Sequence, residues 1–292
     1  MIKERITEIT DIVNSRLAEL FAGGQPALLW DSMRYSIDAG GKRLRPALNI
    51  LAAQIAGAEL EETLDIACAI EMIHTYSLIH DDLPALDNDE LRRGRPSNHM
   101  VFGEAQAILA GDGLLSYAFE VMIGNALKFP QNALNQLAAV KCVAAAAGAG
   151  GMVAGQVLDV AKEGMSVSDP ELAFIHEHKT ADMIVGSLLS GASLRNIDGS
   201  QMKALEKYGR EIGLVFQIVD DILDVTADAE LGKTTGKDAR DNKTTFASKY
   251  GIEGAKELAC KHTEEAKAAV GVFGERAEEL KELADMLLSR RK

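Results

Sequence analysis

Apolar residues recur every three or four positions along nearly the whole chain, beginning with Ile6, Ile9, Ile12, Val13, Leu17 and Leu20. That spacing puts them on one face of a helix, whereas a half-buried strand alternates at every second position, and sustained alternation of β-branched residues is hard to find. The pattern predicts an all-α protein. Breaks fall near Gly23-Gly24, Ala39 to Gly41, Gly57, Pro84, Gly94 to Pro96, Pro130, Gly164 to Pro170, Gly199 and Leu231 to Asp241. They divide the chain into about ten to twelve helices. Connections are short and the composition does not shift, so one domain over residues 1–292 is expected rather than two.

Two predicted helices are apolar on nearly all sides. One runs from about Leu64 to Asp82 and carries Ile66, Ile70, Met72, Ile73 and Ile79; the other ends in Leu214, Val215, Phe216, Ile218, Val219, Ile222 and Leu223. Helices of this kind lie in the middle of a bundle. Both end in clustered aspartates: Asp81, Asp82, Asp87 and Asp89 in SLIHDDLPALDNDE, then Asp220, Asp221, Asp224 and Asp228 in FQIVDDILDVTAD. An acidic run is usually a solvated face. These acids instead follow core helices at their C-terminal ends, where the macrodipole is negative and each carboxylate costs about 0.3–1 kcal/mol. A bound cation reverses that sign.

Asp220 and Asp224 lie about 40° apart around a helix, so one hard cation can bridge them. Asp81 and Asp87 would diverge on a continuous helix. Pro84, however, removes a backbone donor and frees the carbonyl of His80, so that the chain can curl and return Asp87 to Asp81. Oxygen ligands without cysteine or paired histidine suit magnesium, which shares its coordination shell with substrate phosphates. An EF-hand fails because no register across Asp81 to Glu90 supplies its glycine, and GKTTGKD is no phosphate loop because Ala227 stands where the first glycine belongs.

Charge narrows the choice further. With 31 Lys plus Arg against 44 Asp plus Glu, the net charge of -13 speaks against general affinity for nucleic acid or anionic membranes. An anionic ligand therefore needs a local basic site or a bound cation. GGKRLRPAL offers Lys42, Arg43 and Arg45 before a helix that Pro46 is expected to open, and helix N-termini attract anions. Arg92, Arg93 and Arg95 follow the first aspartate cluster, Lys179 adjoins Thr180, and Lys233, Lys237 and Lys243 follow the second cluster. Arginine forks suit phosphate bidentately. His80 reads as a structural core histidine. Cys68, Cys142 and Cys260 lack zinc spacing and read as buried thiols in a reducing compartment. The charged N-terminal segment does not read as a signal peptide, and Ala138 to Gly155, weakly apolar and interrupted by Lys141, reads as close-packed helix rather than a membrane span. A cytoplasmic protein is expected.

The motifs GGKRLRP at 40–46, HTYSLIHDDLPALDNDELRRGRPSNH at 74–99, GQVLD at 155–159, KT at 179–180, FQIVDDILD at 216–224 and GKTTGKDARDNK at 232–243 occur in one order. In that order the chain resembles the polyprenyl synthetase family, specifically bacterial short-chain farnesyl diphosphate synthases. The resemblance implies a single helical bundle of the isoprenoid synthase type around a central catalytic cavity, normally homodimeric, holding about three magnesium ions with substrate diphosphate. It assigns Asp81, Asp87 and Asp220 as metal ligands, with Asp82, Asp221 and Asp224 acting directly or through water. It gives the allylic diphosphate to Arg92, Lys179, Lys233 and Lys243, and isopentenyl diphosphate to Lys42, Arg45, His74 and Arg93. Thr180 and Gln217 fall beside the allylic carbon, Gln156 near the allylic end, and Tyr76 with Ser77 at the position that limits chain length. Farnesyl diphosphate is the expected product and geranylgeranyl diphosphate the alternative. A class I terpene cyclase is disfavoured because cyclases of this fold usually lack GGKRLRP and carry a different second metal motif. A non-catalytic subunit would usually lose one cluster, and a scaffold has no use for either.

Overall fold

The stretches with helical spacing form helices in a computed structural model that describes residues 2–165, 167–226 and 245–290. They are α1 (Ile2–Leu20), α2 (Ala27–Ile37), α3 (Leu44–Ala56), α4 (Leu60–Asp81), α5 (Asn98–Phe102), α6 (Glu104–Lys128) and α7 (Ala133–Ala147). The second half adds α8 (Met152–Ala161), α9 (Asp169–Ile175), α10 (Asp182–Ala192), α11 (Gly199–Thr226), α12 (Phe246–Ala269) and α13 (Glu278–Leu288). A π-helical segment, His176–Ala181, joins α9 to α10, and a 3-10 segment, Val270–Ala277, joins α12 to α13.

The helix expected at the centre is there. In α4, Ile66, Ala67, Cys68, Ala69, Ile70, Met72 and Ile73 are fully buried, so it has no solvent face over its middle turns. It lies along α6 and α3, while α10 packs against α3, α7 and α11, and α11 lies along α12. Burying each large apolar side chain contributes about 1.5–3 kcal/mol, which makes α4 a rigid support for whatever its end carries. Glu59 starts α4 through a reciprocal capping box with Glu62. The described part of α11 reaches Thr226; Asp228, Lys233, Lys237 and Lys243 lie outside the described residues.

Several local expectations need correction. Gly148 to Gly151 break Ala138 to Gly155 into the end of α7 and the start of α8. Pro46 does not open its helix: α3 begins at Leu44, behind Arg43 in a left-handed conformation at φ 45°. Among the described residues there is one strand pair, a two-residue antiparallel ribbon of β1 (Leu91–Arg92) and β2 (Arg95–Pro96). Its turn residues, Arg93 at φ 55° and Gly94 at φ 73°, supply the two positive φ angles of a tight hairpin turn. Of the three free thiols, Cys68 alone is buried; Cys142 is half-buried and Cys260 exposed.

Candidate active site

The first aspartate cluster is a backbone curl. The Asp87 N–H donates to the Asp81 carbonyl at 2.9 Å and the Asp89 N–H to the Asp82 carbonyl at 3.1 Å, which returns Asp87 to Asp81. The carbonyl of His80 is not left free, since it accepts from the Leu83 N–H at 3.1 Å. Asn88, left-handed at φ 49°, helps complete the reversal. Burial pushes the Asp81 carboxyl from 3.8 up to about 6; Lys179 opposes the shift and Asp87 adds to it. Asp82 is raised too, by burial, against a guanidinium that grips it: Arg92 Nε donates at 3.0 and 3.2 Å to its two oxygens. Asp82 is thus committed to Arg92.

The second cluster divides in the same way. Asp221 is buried, its Oδ1 accepting from Gln217 Nε2 at 2.9 Å and its Oδ2 from the Phe246 N–H at 2.8 Å, where α12 begins. Thr180 Oγ1 donates to Gln217 Oε1 at 3.4 Å. Asp220 instead pairs at 2.5 Å with Arg290, whose guanidinium lies 4.1 Å above the Phe216 ring and also donates to the Phe216 carbonyl at 2.9 Å. No sequence signal marked Arg290 beyond its place in a short basic run after the last apolar positions. Asp224 is half-buried on the same helix.

The basic residues sort into struts and candidates. Arg43 is buried and holds Glu71 at 2.7 Å, Asn14 at 2.9 Å and the Ile37 carbonyl at 2.8 Å, which makes it a strut between α1, α2 and α4. Arg45 is different, because its Nε is buried without a partner. Burial lowers its pKa, as it does that of Arg93, while Glu71 opposes both. His74 is driven well below the usual histidine range by burial, then by Arg45, Arg93 and Arg92, and is therefore neutral. Arg93 lies against Gly41, where an added Cβ would sit 2.8 Å from Cζ, so the GGKRLRP loop and the ribbon meet. Lys42 is exposed beside them.

Lys179 and Thr180 sit on the π segment, a geometry that recurs at functional sites. Lys179 Nζ donates to Asp159 Oδ2 at 2.6 Å, and Gly155 admits this segment so closely that an added Cβ would stand 2.1 Å from the Lys179 backbone nitrogen. Asp159, Lys179, Thr180, Gln217 and Asp221 line one cavity, with His176. The Gln156 Nε2 is buried without a partner. Below Asp81, Tyr76 is 7% exposed and meets His80 edge-on at 5.8 Å, while Ser77 Oγ donates to the His74 carbonyl at 2.9 Å. His80 Nε2 lies 3.1 Å from the Ile108 carbonyl, consistent with a packing role.

The polyprenyl synthetase family model matches residues 26–287. The chain belongs to that family. This polyprenyl synthetase is 43% identical to the geranylgeranyl diphosphate synthase of Cyanophora paradoxa over 97% of this chain and 94% of that one. It is 47% identical to the farnesyl diphosphate synthase of Geobacillus stearothermophilus over 87% of this chain and 84% of that one. A crystal structure of an FPP/GFPP synthase from Zymomonas mobilis superposes with a TM-score of 0.88 at 33% identity, covering 99% of each chain. The protein is a prenyltransferase of isoprenoid biosynthesis, and its relatives are named for products of different length. Among the described residues, ligand atoms of Glu211 on α11 and of His262 and Glu265 on α12 lie within 4.8 Å of one another, a group of the kind that could hold a metal.

Proposed function

We infer that this prenyltransferase joins an allylic diphosphate, dimethylallyl or geranyl, head-to-tail to isopentenyl diphosphate in a magnesium-dependent reaction, with farnesyl diphosphate as the main product. The observation that carries the reading is the backbone curl that returns Asp87 to the half-buried Asp81 at the C-terminal end of α4, where desolvation raises the Asp81 carboxyl to about 6. Such a group calls for a cation, and an oxygen-only donor set fits magnesium. Asp81, Asp87 and Asp220 would hold about three ions, with Asp82, Asp221 and Asp224 acting directly or through water. Bound magnesium would supply Lewis-acid neutralisation of the departing diphosphate.

The chain's own groups do the rest. Lys179 exchanges Asp159 for the allylic diphosphate, joined by Arg92 and, beyond the described residues, Lys233 and Lys243. Arg45, with its unpartnered Nε, binds isopentenyl diphosphate with Lys42, Arg93 and neutral His74. The allylic C–O bond breaks, the isopentenyl double bond attacks the cation, and a proton leaves to the released diphosphate. Thr180 and Gln217 turn oxygen dipoles toward the cation without trapping it, and Gln156 flanks the allylic end. Incubation with labelled isopentenyl diphosphate and geranyl diphosphate should give a longer prenyl diphosphate. Release of hydrocarbon or alcohol from geranyl diphosphate alone would identify a cyclase instead.

The two diphosphate sites should separate by mutation. Lys42→Ala is expected to raise KM for isopentenyl diphosphate about tenfold, the scale of one lost charge-assisted contact, and to leave the allylic KM within about twofold. Initial-rate kinetics with each substrate varied checks this, and equal changes in both constants would reassign Lys42.

We read residues 1–292 as one domain of a cytoplasmic homodimer. Supporting the dimer, α6 and α7 turn large apolar side chains outward: Leu134 is 83% exposed, Leu127 77%, with Leu109 and Leu137 half-exposed. By length and composition alone, α6 and the stretch Pro130–Ala161 could also cross a membrane, but the second is broken at Gly148 to Gly151. A second copy of this chain covers that face best, since contiguous exposed apolar surface marks an interface. Leu127→Glu with Leu134→Glu is expected to halve the mass measured by light scattering; an unchanged mass would place the contact elsewhere.

A further inference from the structure

Asp221 stands in an aspartate motif, and protein donors engage both of its oxygens, Gln217 Nε2 at 2.9 Å and the Phe246 N–H at 2.8 Å. The side chain is 2% exposed. A carboxylate that accepts at both oxygens fixes the neighbouring amide, because only the NH2 end of Gln217 can face it. The opposite end, Oε1, is thereby turned to Thr180 Oγ1 at 3.4 Å, along the wall of the cavity that Lys179 also lines. Were the amide reversed, two acceptors would meet at Asp221 and a partial positive charge would face the cavity. The orientation of Gln217 is thus set one residue away from the group that would use it.

Resting on the reaction proposed above, we propose that Asp221 is a positioning residue: it holds the Gln217 amide with its carbonyl oxygen toward the developing allylic cation, and the start of α12 holds Asp221. The Phe246 N–H is one of the donors that a helix start leaves without an intrahelical partner, so this anchor comes from the backbone and does not depend on a side chain that could rotate away. Dipoles aimed before the reaction act where charge develops and need not reorganise during it. The effect of Asp221 on the chemical step therefore runs through Gln217.

A double-mutant cycle tests this. In wild-type background Asp221→Asn is expected to lower kcat about 10- to 100-fold, with both KM values and the magnesium half-saturation within about threefold. In a Gln217→Ala background the same change should lower kcat by less than about threefold, because no amide is left to orient. A purely structural or metal-binding Asp221 would not show this: its losses would multiply in the double variant. Thermal unfolding reports whether each variant folds, and Asp221→Ser, which keeps an acceptor for the Phe246 N–H, carries the cycle if Asp221→Asn does not. Multiplicative losses, or a tenfold shift in magnesium half-saturation, with wild-type condensation intact, overturn the positioning role alone. Absence of condensation by the wild-type protein overturns the reaction and this role together.

Discussion

Asp81→Ala should lower kcat by about a thousandfold or more while leaving the protein folded and at least as resistant to heat as the wild type. Both halves follow from the same geometry. Asp81 is half-buried beside Asp87 at a helix end, where the negative end of the dipole also opposes its charge, so removing it relieves repulsion in the free protein. The same removal takes a ligand from the cation proposed for the reaction. The proton dependence has a definite sign. The folded carboxyl titrates near 6 rather than 3.8, so the folded state binds the proton more tightly than the unfolded one, and this group's contribution to stability falls as pH rises from about 4 to about 6. A cation competes with that proton. Magnesium half-saturation should therefore weaken as pH drops below about 6, and steady-state rates across a magnesium and pH grid would show it. An Asp81→Ala protein that unfolds, or one that keeps full activity, would remove Asp81 from this role.

Tyr76→Ala is expected to shift the main product from fifteen carbons to twenty or more. Tyr76 lies five residues before Asp81, about 7.5 Å down the axis of α4, which is the depth at which a chain anchored by its diphosphate at the aspartates would meet the helix wall. The ring is nearly buried and braced edge-on by His80, so it is a fixed obstacle rather than a flexible flap. Met72 and Met122, both fully buried, would then form the next floor. Truncating a buried aromatic commonly costs about 3–5 kcal/mol, so circular dichroism must first show a folded variant. Chromatography of dephosphorylated products decides the rest: a folded, active variant with an unchanged product spectrum would remove Tyr76 as the stop.

The central helices and the two aspartate clusters were legible because their signals are local. An all-round apolar helix such as α4 can only be interior, and carboxylates at its C-terminal end conflict with the dipole within a single stretch of sequence. Even the return of Asp87 to Asp81 was readable from Pro84, although the bond that closes it uses the Asp81 carbonyl and not that of His80. What could not be read depends on which residues meet across helices. Nothing near Arg43 says that Glu71 and Asn14 will enclose it while Arg45, two positions on, keeps an unpartnered nitrogen. Nothing near Asp221 says that a backbone N–H 25 residues further on will claim it, or that Arg290 will reach Asp220. The hairpin that aims Arg92 and Arg93 escaped a period-based reading because its strands are two residues long.

The most direct test of the account is condensation itself, measured with purified protein, labelled isopentenyl diphosphate and geranyl diphosphate, with added magnesium and with excess chelator. The two aspartate clusters predict a labelled, longer prenyl diphosphate with magnesium and none in chelator, restored when magnesium is returned in excess. Equal product in both conditions would contradict it.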